Sequence, residues 1–334
     1  MDRSITRPRA RRALALGAAA LVIALSAGPA LACGGLIGPS GAVNLLQTTT
    51  LAAYHDGEEH YVTAFRFAGG GGAFGSLTPL PGVPSSVEKG GDWTLQRLVR
   101  ETDPVPAFDA LDITVLRGGS TAVGQWATQH GFRLPPDAPE VLDFYAARSP
   151  IFLAAVFDAD AAAARGQSVG DGTPVHVTIP TDNPWVPLRI LALGKTPAER
   201  VTADVYLLTD RRPALLPAPT GDDGLSLEHS APATQSLLDD LRSDRGMDWV
   251  PGSAWLTKVG IDASVPQLGF DLAIDASGAG APSRLMAGLD LPGAQLVADP
   301  TLDVIRSVAG VALIVIGIGG ILLLIRRRPP LTIA

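Results

Sequence analysis

The sequence predicts an α+β fold, with mixed and largely antiparallel sheets, several short helices and one C-terminal transmembrane helix. Three observations carry this prediction. Short runs rich in apolar and β-branched residues recur along the chain, bounded by Gly, Pro and Asp-Gly turns. Helical-period segments fall between them without strict alternation, which argues against a repeating βαβ sheet. Ser307 to Ile325 is an uncharged apolar run of 19 residues, followed at once by Arg326, Arg327 and Arg328. At about 1.5 Å of rise per residue this run spans roughly 30 Å, the thickness of a bilayer core.

The N-terminus reads as a leader. Five arginines up to Arg12 precede the apolar stretch Ala13 to Leu25, and Ala30-Leu31-Ala32 is a small-x-small cleavage site. Residues 1–32 are then the signal peptide, and the mature chain begins at Cys33. Ordinary export is favoured over the partial twin-arginine match at Arg11-Arg12. Lipidation of Cys33 would duplicate the anchor, and its lipobox position holds Ala30. Residues 33–303 form the extracytoplasmic domain, 304–325 the membrane helix and 326–334 a cytoplasmic tail. Arginines retained inside give a single-pass topology with the N-terminal domain outside.

The whole chain has 26 basic and 33 acidic residues. Without the leader (five Arg, one Asp) and residues 304–334 (four Arg), 17 basic and 32 acidic residues remain, a net charge near −15. Such a surface repels phosphate polyanions and excludes nucleic acid as a partner. One cysteine permits no intrachain disulfide, so stability must come from packing.

Element by element, Val43–Tyr54 and Glu59–Phe67 read as strands joined by His55-Asp56-Gly57-Glu58, a hairpin signal. In the second strand Tyr61, Thr63, Phe65 and Phe67 share one face, and Val62, Ala64 and Arg66 the other. Leu77–Pro84 is too proline-rich for a central strand. Asp92 is placed to cap a helix through Trp93, Leu95, Leu98 and Val99. Strands are predicted at 111–116, 151–157, 174–179, 186–193 and 201–208, and helices at 121–130, 139–147 and 234–245. One or two helical turns are expected at 158–164. The four prolines and Asp222-Asp223-Gly224 of Thr209–Thr234 suggest a long loop or a boundary between two lobes. Trp249–Ala276 should supply two or three more strands, and Gly278–Asp303 a stalk to the membrane.

Short motifs on this chain resemble a family of exported bacterial proteins, domain of unknown function 2330. They are Cys33-Gly34-Gly35, Thr78-Pro79-Leu80-Pro81-Gly82-Val83-Pro84, Asn183-Pro184-Trp185-Val186-Pro187-Leu188-Arg189 and Asp204-Val205-Tyr206-Leu207-Leu208. The resemblance implies an exported, often membrane-anchored domain of undetermined activity, with no catalytic residues to carry over.

Catalytic patterns fail on context. Gly166-x-Ser168-x-Gly170 has its helix and strand in the wrong order for a nucleophile elbow. Gly70-x-Gly72-x-x-Gly75 lacks the following helix that would hold a pyrophosphate. His55 and His60 lie five apart across a turn, without metal-helix spacing, and no metal or other cofactor is expected. Cys33 is the weak catalytic candidate, because a freed α-amine beside its thiol would suit an N-terminal nucleophile of a hydrolase or acyltransferase. Pro79, Pro81, Pro84, Trp93 and Trp185 are candidate lining residues of a partner- or ligand-binding groove. Gly310 and Gly317 share one face of the anchor, with Gly320 nearby, and would let two membrane helices approach in a homo-oligomer. The favoured reading is a non-enzymatic cell-surface domain that binds an envelope ligand or protein. The alternatives are the Cys33 enzyme and a structural subunit that assembles through its anchor.

Overall fold

A seven-stranded sheet carries the structure. The computed structural model describes residues 35–42, 44–68, 73–91, 93–102, 111–158, 174–277 and 280–291. In spatial order the sheet runs β13 (Leu225–Pro232), β14 (Trp255–Ser264), β11 (Arg200–Thr209), β3 (Asn44–His55), β4 (Glu58–Ala68), β9 (Val175–Pro180) and β6 (Ser86–Lys89). Every neighbouring pair is antiparallel except β11 with β3. A five-stranded sheet orders β2 (Gly41–Ala42), β1 (Gly35–Gly38), β5 (Ala73–Pro79), β8 (Ile151–Asp158) and β7 (Leu111–Arg117). A small third sheet holds β10 (Trp185–Val186), β15 (Leu272–Asp275) and β12 (Ala214–Leu216). The helices are α1 (Thr94–Thr102), α2 (Gly119–Gln129), α3 (Ala138–Ala146) and α4 (Gln235–Ser243). The α+β class with largely antiparallel sheets therefore holds.

The β3–β4 hairpin forms as predicted. Asp56 and Gly57 take left-handed φ values of 51° and 83°, the geometry a two-residue turn of this hand requires. The two faces of β4 alternate as read from the sequence, yet both are buried. Tyr61 joins the larger core with Ala52, Val177 and Leu207, while Val62 joins a second core with Leu51, Leu98, Leu208 and Leu241. The second core exists because α1 and α4 pack together over that face. An Arg97–Asp240 ion pair at 2.6 Å links these two helices. On the other side, the larger core joins the seven-stranded sheet to the five-stranded sheet and to α2 and α3.

Four elements differ from expectation. Leu77–Pro79, read as too proline-rich for a central strand, closes β5, the middle strand of the five-stranded sheet, with Pro79 as its last residue. Residues 186–193 do not continue as a strand. β10 ends at Val186 and the chain coils into a 3-10 turn at Arg189–Ala192. Pro187 cannot donate to a ladder, and a buried carboxylate collects the next two amides, as described below. Thr209–Thr234 is not a long loop but supplies β12 and β13. Residues 280–291, expected in the stalk, dock on the body, where the Asp271 amide donates to the Ala287 carbonyl at 2.9 Å. Among the described residues no helix is long and apolar enough to cross a membrane. The predicted leader, the span Ser307–Ile325, Gly310, Gly317, Gly320 and Arg326–Arg328 lie outside the described residues.

Candidate functional site

The segment Asn183–Arg189 builds one wall of a cleft. Trp185 and Val186 pair with Ala273 and Leu272 of β15, which brings Asp271 beneath the turn that follows. Asp271 Oδ1 accepts from the amides of Leu188 (2.7 Å) and Arg189 (3.0 Å) and from the Tyr145 hydroxyl (2.9 Å). The Ile190 amide donates in turn to the Tyr145 oxygen at 2.8 Å. Asp271 Oδ2 pairs with Arg148 Nη2 at 2.6 Å, and both side chains are fully shielded from solvent. The Arg148 guanidinium also donates to the Met286 carbonyl and lies over the rings of Phe144 (4.2 Å), Tyr145 (5.0 Å) and Trp185 (4.8 Å). Burial first, and then the Asp271 charge, hold the Tyr145 hydroxyl well above its ordinary titration range. A buried pair with both carboxylate oxygens hydrogen-bonded fixes geometry more than it adds stability, and here it fixes the path of residues 188–192.

That path sets the cleft. Arg189 leaves the turn, stacks on Phe144 with its guanidinium 4.3 Å from the ring centre, and pairs with Glu140 on α3. Both Asp137 oxygens accept from the Gly194 amide, at 2.9 and 3.1 Å, and so clamp the loop that carries Lys195. The opposite wall is a second 3-10 turn, Val265–Gln267, capped by Ser264. The Gln267 side chain accepts from the Ser264 amide at 2.8 Å. The resulting space is about 380 Å³, lined by Asp137, Glu140, Arg189 and Lys195 together with apolar Val141, Ala192, Val265 and Leu268. This falls within the size range of small-molecule pockets, roughly 300–1,000 Å³. Lys195 is half-buried, and its ammonium makes no hydrogen bond or ion pair among the described residues. Burial lowers it from the usual lysine value, partly offset by Glu199.

A second polar cluster lies on the α1/α4 side of the large sheet. His60 Nδ1 and His176 Nε2 stand 3.1 Å apart, and the Trp249 indole stacks on His60 at 3.8 Å and 4°. Burial depresses both imidazoles, with His60 brought to about 3, so the pair is neutral and shares one N–H···N bond. Among the described residues no three His, Cys, Asp or Glu side chains converge to hold a metal. His55 meets Asp210 at 2.7 Å.

The sequence-predicted site residues are dispersed. Trp185 is 0 % exposed and lines no groove, because its indole is stacked on Tyr145 at 5.7 Å and packed against Arg148. Pro79 is buried at the end of β5, while Pro81, Pro84 and Trp93 are half-buried. Gly75 serves packing rather than a nucleotide, since a Cβ there would come within 2.7 Å of Trp126 and 2.9 Å of Phe132. Cys33, Gly70, Gly72 and Gly166–Gly170 lie outside the described residues. Sequence reading missed Asp137, Glu140, Arg189 and Lys195 as a group. The available signal was Lys195 itself, a rare lysine six residues beyond the motif that ends at Arg189.

Residues 105–237 match the model of domain of unknown function 2330, described as an uncharacterized protein conserved in bacteria. The motifs Asn183–Arg189 and Asp204–Leu208 fall inside that match, as do the four polar cleft residues. No curated protein matches the chain. The crystal structure of baculovirus P35 aligns with 70% of this chain and 92% of that chain, at 9% sequence identity and a TM-score of 0.37.

Proposed function

We propose that this chain is a single-pass, membrane-anchored extracytoplasmic domain that binds a small envelope ligand, or a side chain of an envelope partner, in the cleft at Arg189 and Lys195. The cleft carries the binding part of the reading. It joins an apolar wall to four charged groups and is positioned by a buried ion pair, so its shape is set before a ligand arrives. The location rests on the leader, the apolar run Ser307–Ile325 and the basic tail that follows it.

Two experiments test these parts separately. For the cleft, ligand-observed NMR of a fragment library would compare the full-length chain with Val265→Trp, which fills the space. Fragments should bind the parent and be lost in the variant. Binding that survives the substitution, or no binding at millimolar concentration, would remove the cleft as the site. For location, a chain ending at Asp303 should be released from the membrane fraction while the full chain stays with it.

A further inference from the structure

Lysine is rare in this protein: Lys89, Lys195 and Lys258 are the only three. Their surroundings differ sharply. Lys258 is held between Asp204 Oδ1 at 3.1 Å and Glu228 Oε2 at 2.9 Å. Burial alone would lower its titration, but the bond to Glu228 and the Asp204 charge raise it above the ordinary range. Lys89 is exposed on the edge strand β6. Lys195 is half-buried beside Ala192, Val265 and Leu268, and no acceptor holds its Nζ among the described residues.

Resting on the cleft reading above, we propose that the Lys195 amine is the reactive group of the cleft and that the ligand carries an aldehyde or ketone carbonyl. The lining argues against a simple anion. Asp137 and Glu140 already balance Arg189 and Lys195, so a carboxylate or phosphate entering the cleft would meet two carboxylates. A neutral carbonyl meets no such opposition, and Val265 and Leu268 can cover its carbon body. Desolvation is one way to obtain a nucleophilic lysine amine near neutral pH, and here the apolar side of the cleft, Ala192, Val265 and Leu268, supplies it. The groups that face it are Asp137, Glu140 and Arg189 from the cleft walls and Glu199 from its own loop.

The step balances without an oxidant or reductant. The ammonium first gives a proton to solvent. The free Nζ pair then attacks the carbonyl carbon, the π electrons pass to oxygen, and proton transfer gives a carbinolamine. The carbinolamine hydroxyl then takes a proton back from solvent and leaves as water, and the nitrogen lone pair closes the C–N double bond of a protonated imine. One C–N double bond is gained, one C–O double bond is lost, and one water is released. The bond is reversible by hydrolysis.

The full-length chain in detergent would be treated at pH 7 with limiting butanal and cyanoborohydride, which reduces an imine to a stable secondary amine. Peptide mass mapping then scores the three lysines separately. Burial beside the apolar wall lowers Lys195 and leaves more of it as free amine at pH 7, so Lys195 should be alkylated several-fold faster than Lys89. Lys258 should remain unmodified. Val265→Trp should slow Lys195 without changing Lys89. A Lys195 rate equal to or below that of Lys89 overturns the reactive amine, even where fragments still bind the cleft. Fast labelling of Lys195 that Val265→Trp leaves unchanged supports a reactive amine and removes the cleft as its setting.

Discussion

Asp271 shows how much one side chain can fix. Its two oxygens directly serve Arg148, Tyr145 and the amides of Leu188 and Arg189. Two substitutions separate charge from shape. Asp271→Asn retains an oxygen for the two amides but leaves Arg148 as an unpaired buried cation, which should cost about 3–5 kcal/mol in urea unfolding. Asp271→Ala also orphans the two amides and should cost more. It should additionally move Arg189, and so alter the cleft, where Asn would not. Equal losses for the two variants would mean that the amide bonds contribute nothing to holding the turn.

At the scale of elements, α1 is a helix whose start is capped from far away in sequence. Asp244, just after α4, accepts from the Trp93 amide at 3.0 Å, the Thr94 amide at 2.7 Å and the Thr94 hydroxyl at 2.6 Å through one carboxylate oxygen. Its removal by Asp244→Ala should cost about 1–2 kcal/mol, the scale of a lost N-cap, and should loosen α1 from α4. Amide exchange over 94–102 would show this, and unchanged protection would refute it. The helix itself was legible from the spacing of Leu95, Leu98 and Val99, while its cap was not. The sequence offered Asp92, which lies outside the described residues, and a local pattern cannot reveal a partner some 150 positions away. The same distinction runs through the fold. The hairpin at Asp56-Gly57, the alternation of Tyr61 and Val62 and the strand Val201–Leu208 are local, and all were legible. The turn at 189–192 was not, because Asp271 collects its amides across a sheet. The cleft was not legible either. Its walls come from residues 137–141, 189–195 and 265–269, none of which carries a catalytic or metal-binding spacing. Trp185 was misread for a related reason: an aromatic between two prolines looks available for contact until its stacking partners are known.

Across the whole molecule, the seven-stranded sheet hides two titratable groups on opposite faces of β4, and together they set the pH range of stability. Glu59 faces the larger core and is 0 % exposed, and neither carboxyl oxygen has a hydrogen-bond partner of good geometry. Burial raises it from 4.5 to about 8, and the nearby Trp185 amide offsets only part of this. The folded chain therefore keeps a proton that the unfolded chain releases, and stability falls as pH rises from about 4.5 to 8. At about 1.4 kcal/mol per unit, the full loss is on the order of 5 kcal/mol. His60, on the opposite face, works the other way. The folded chain refuses a proton down to about 3 that the unfolded chain accepts from 6.5, so stability falls as pH drops through that window. Depressed His176 adds to the same acid limb. Between about 4.5 and 6.5 the Glu59 slope opposes the histidine slopes, and the contribution of His176 places the stability maximum toward the upper end of that window. Urea unfolding from pH 3.5 to 9 should show a fall on both sides. Glu59→Gln copies the shape of the protonated acid and cannot ionise, so it should flatten the alkaline limb while leaving the acid limb intact. His60→Asn should weaken the acid limb alone. If Glu59→Gln loses stability between pH 6.5 and 8 as steeply as the parent, the buried carboxyl is already ionised in the folded chain, and the alkaline limb belongs to the repulsion of its acidic surface.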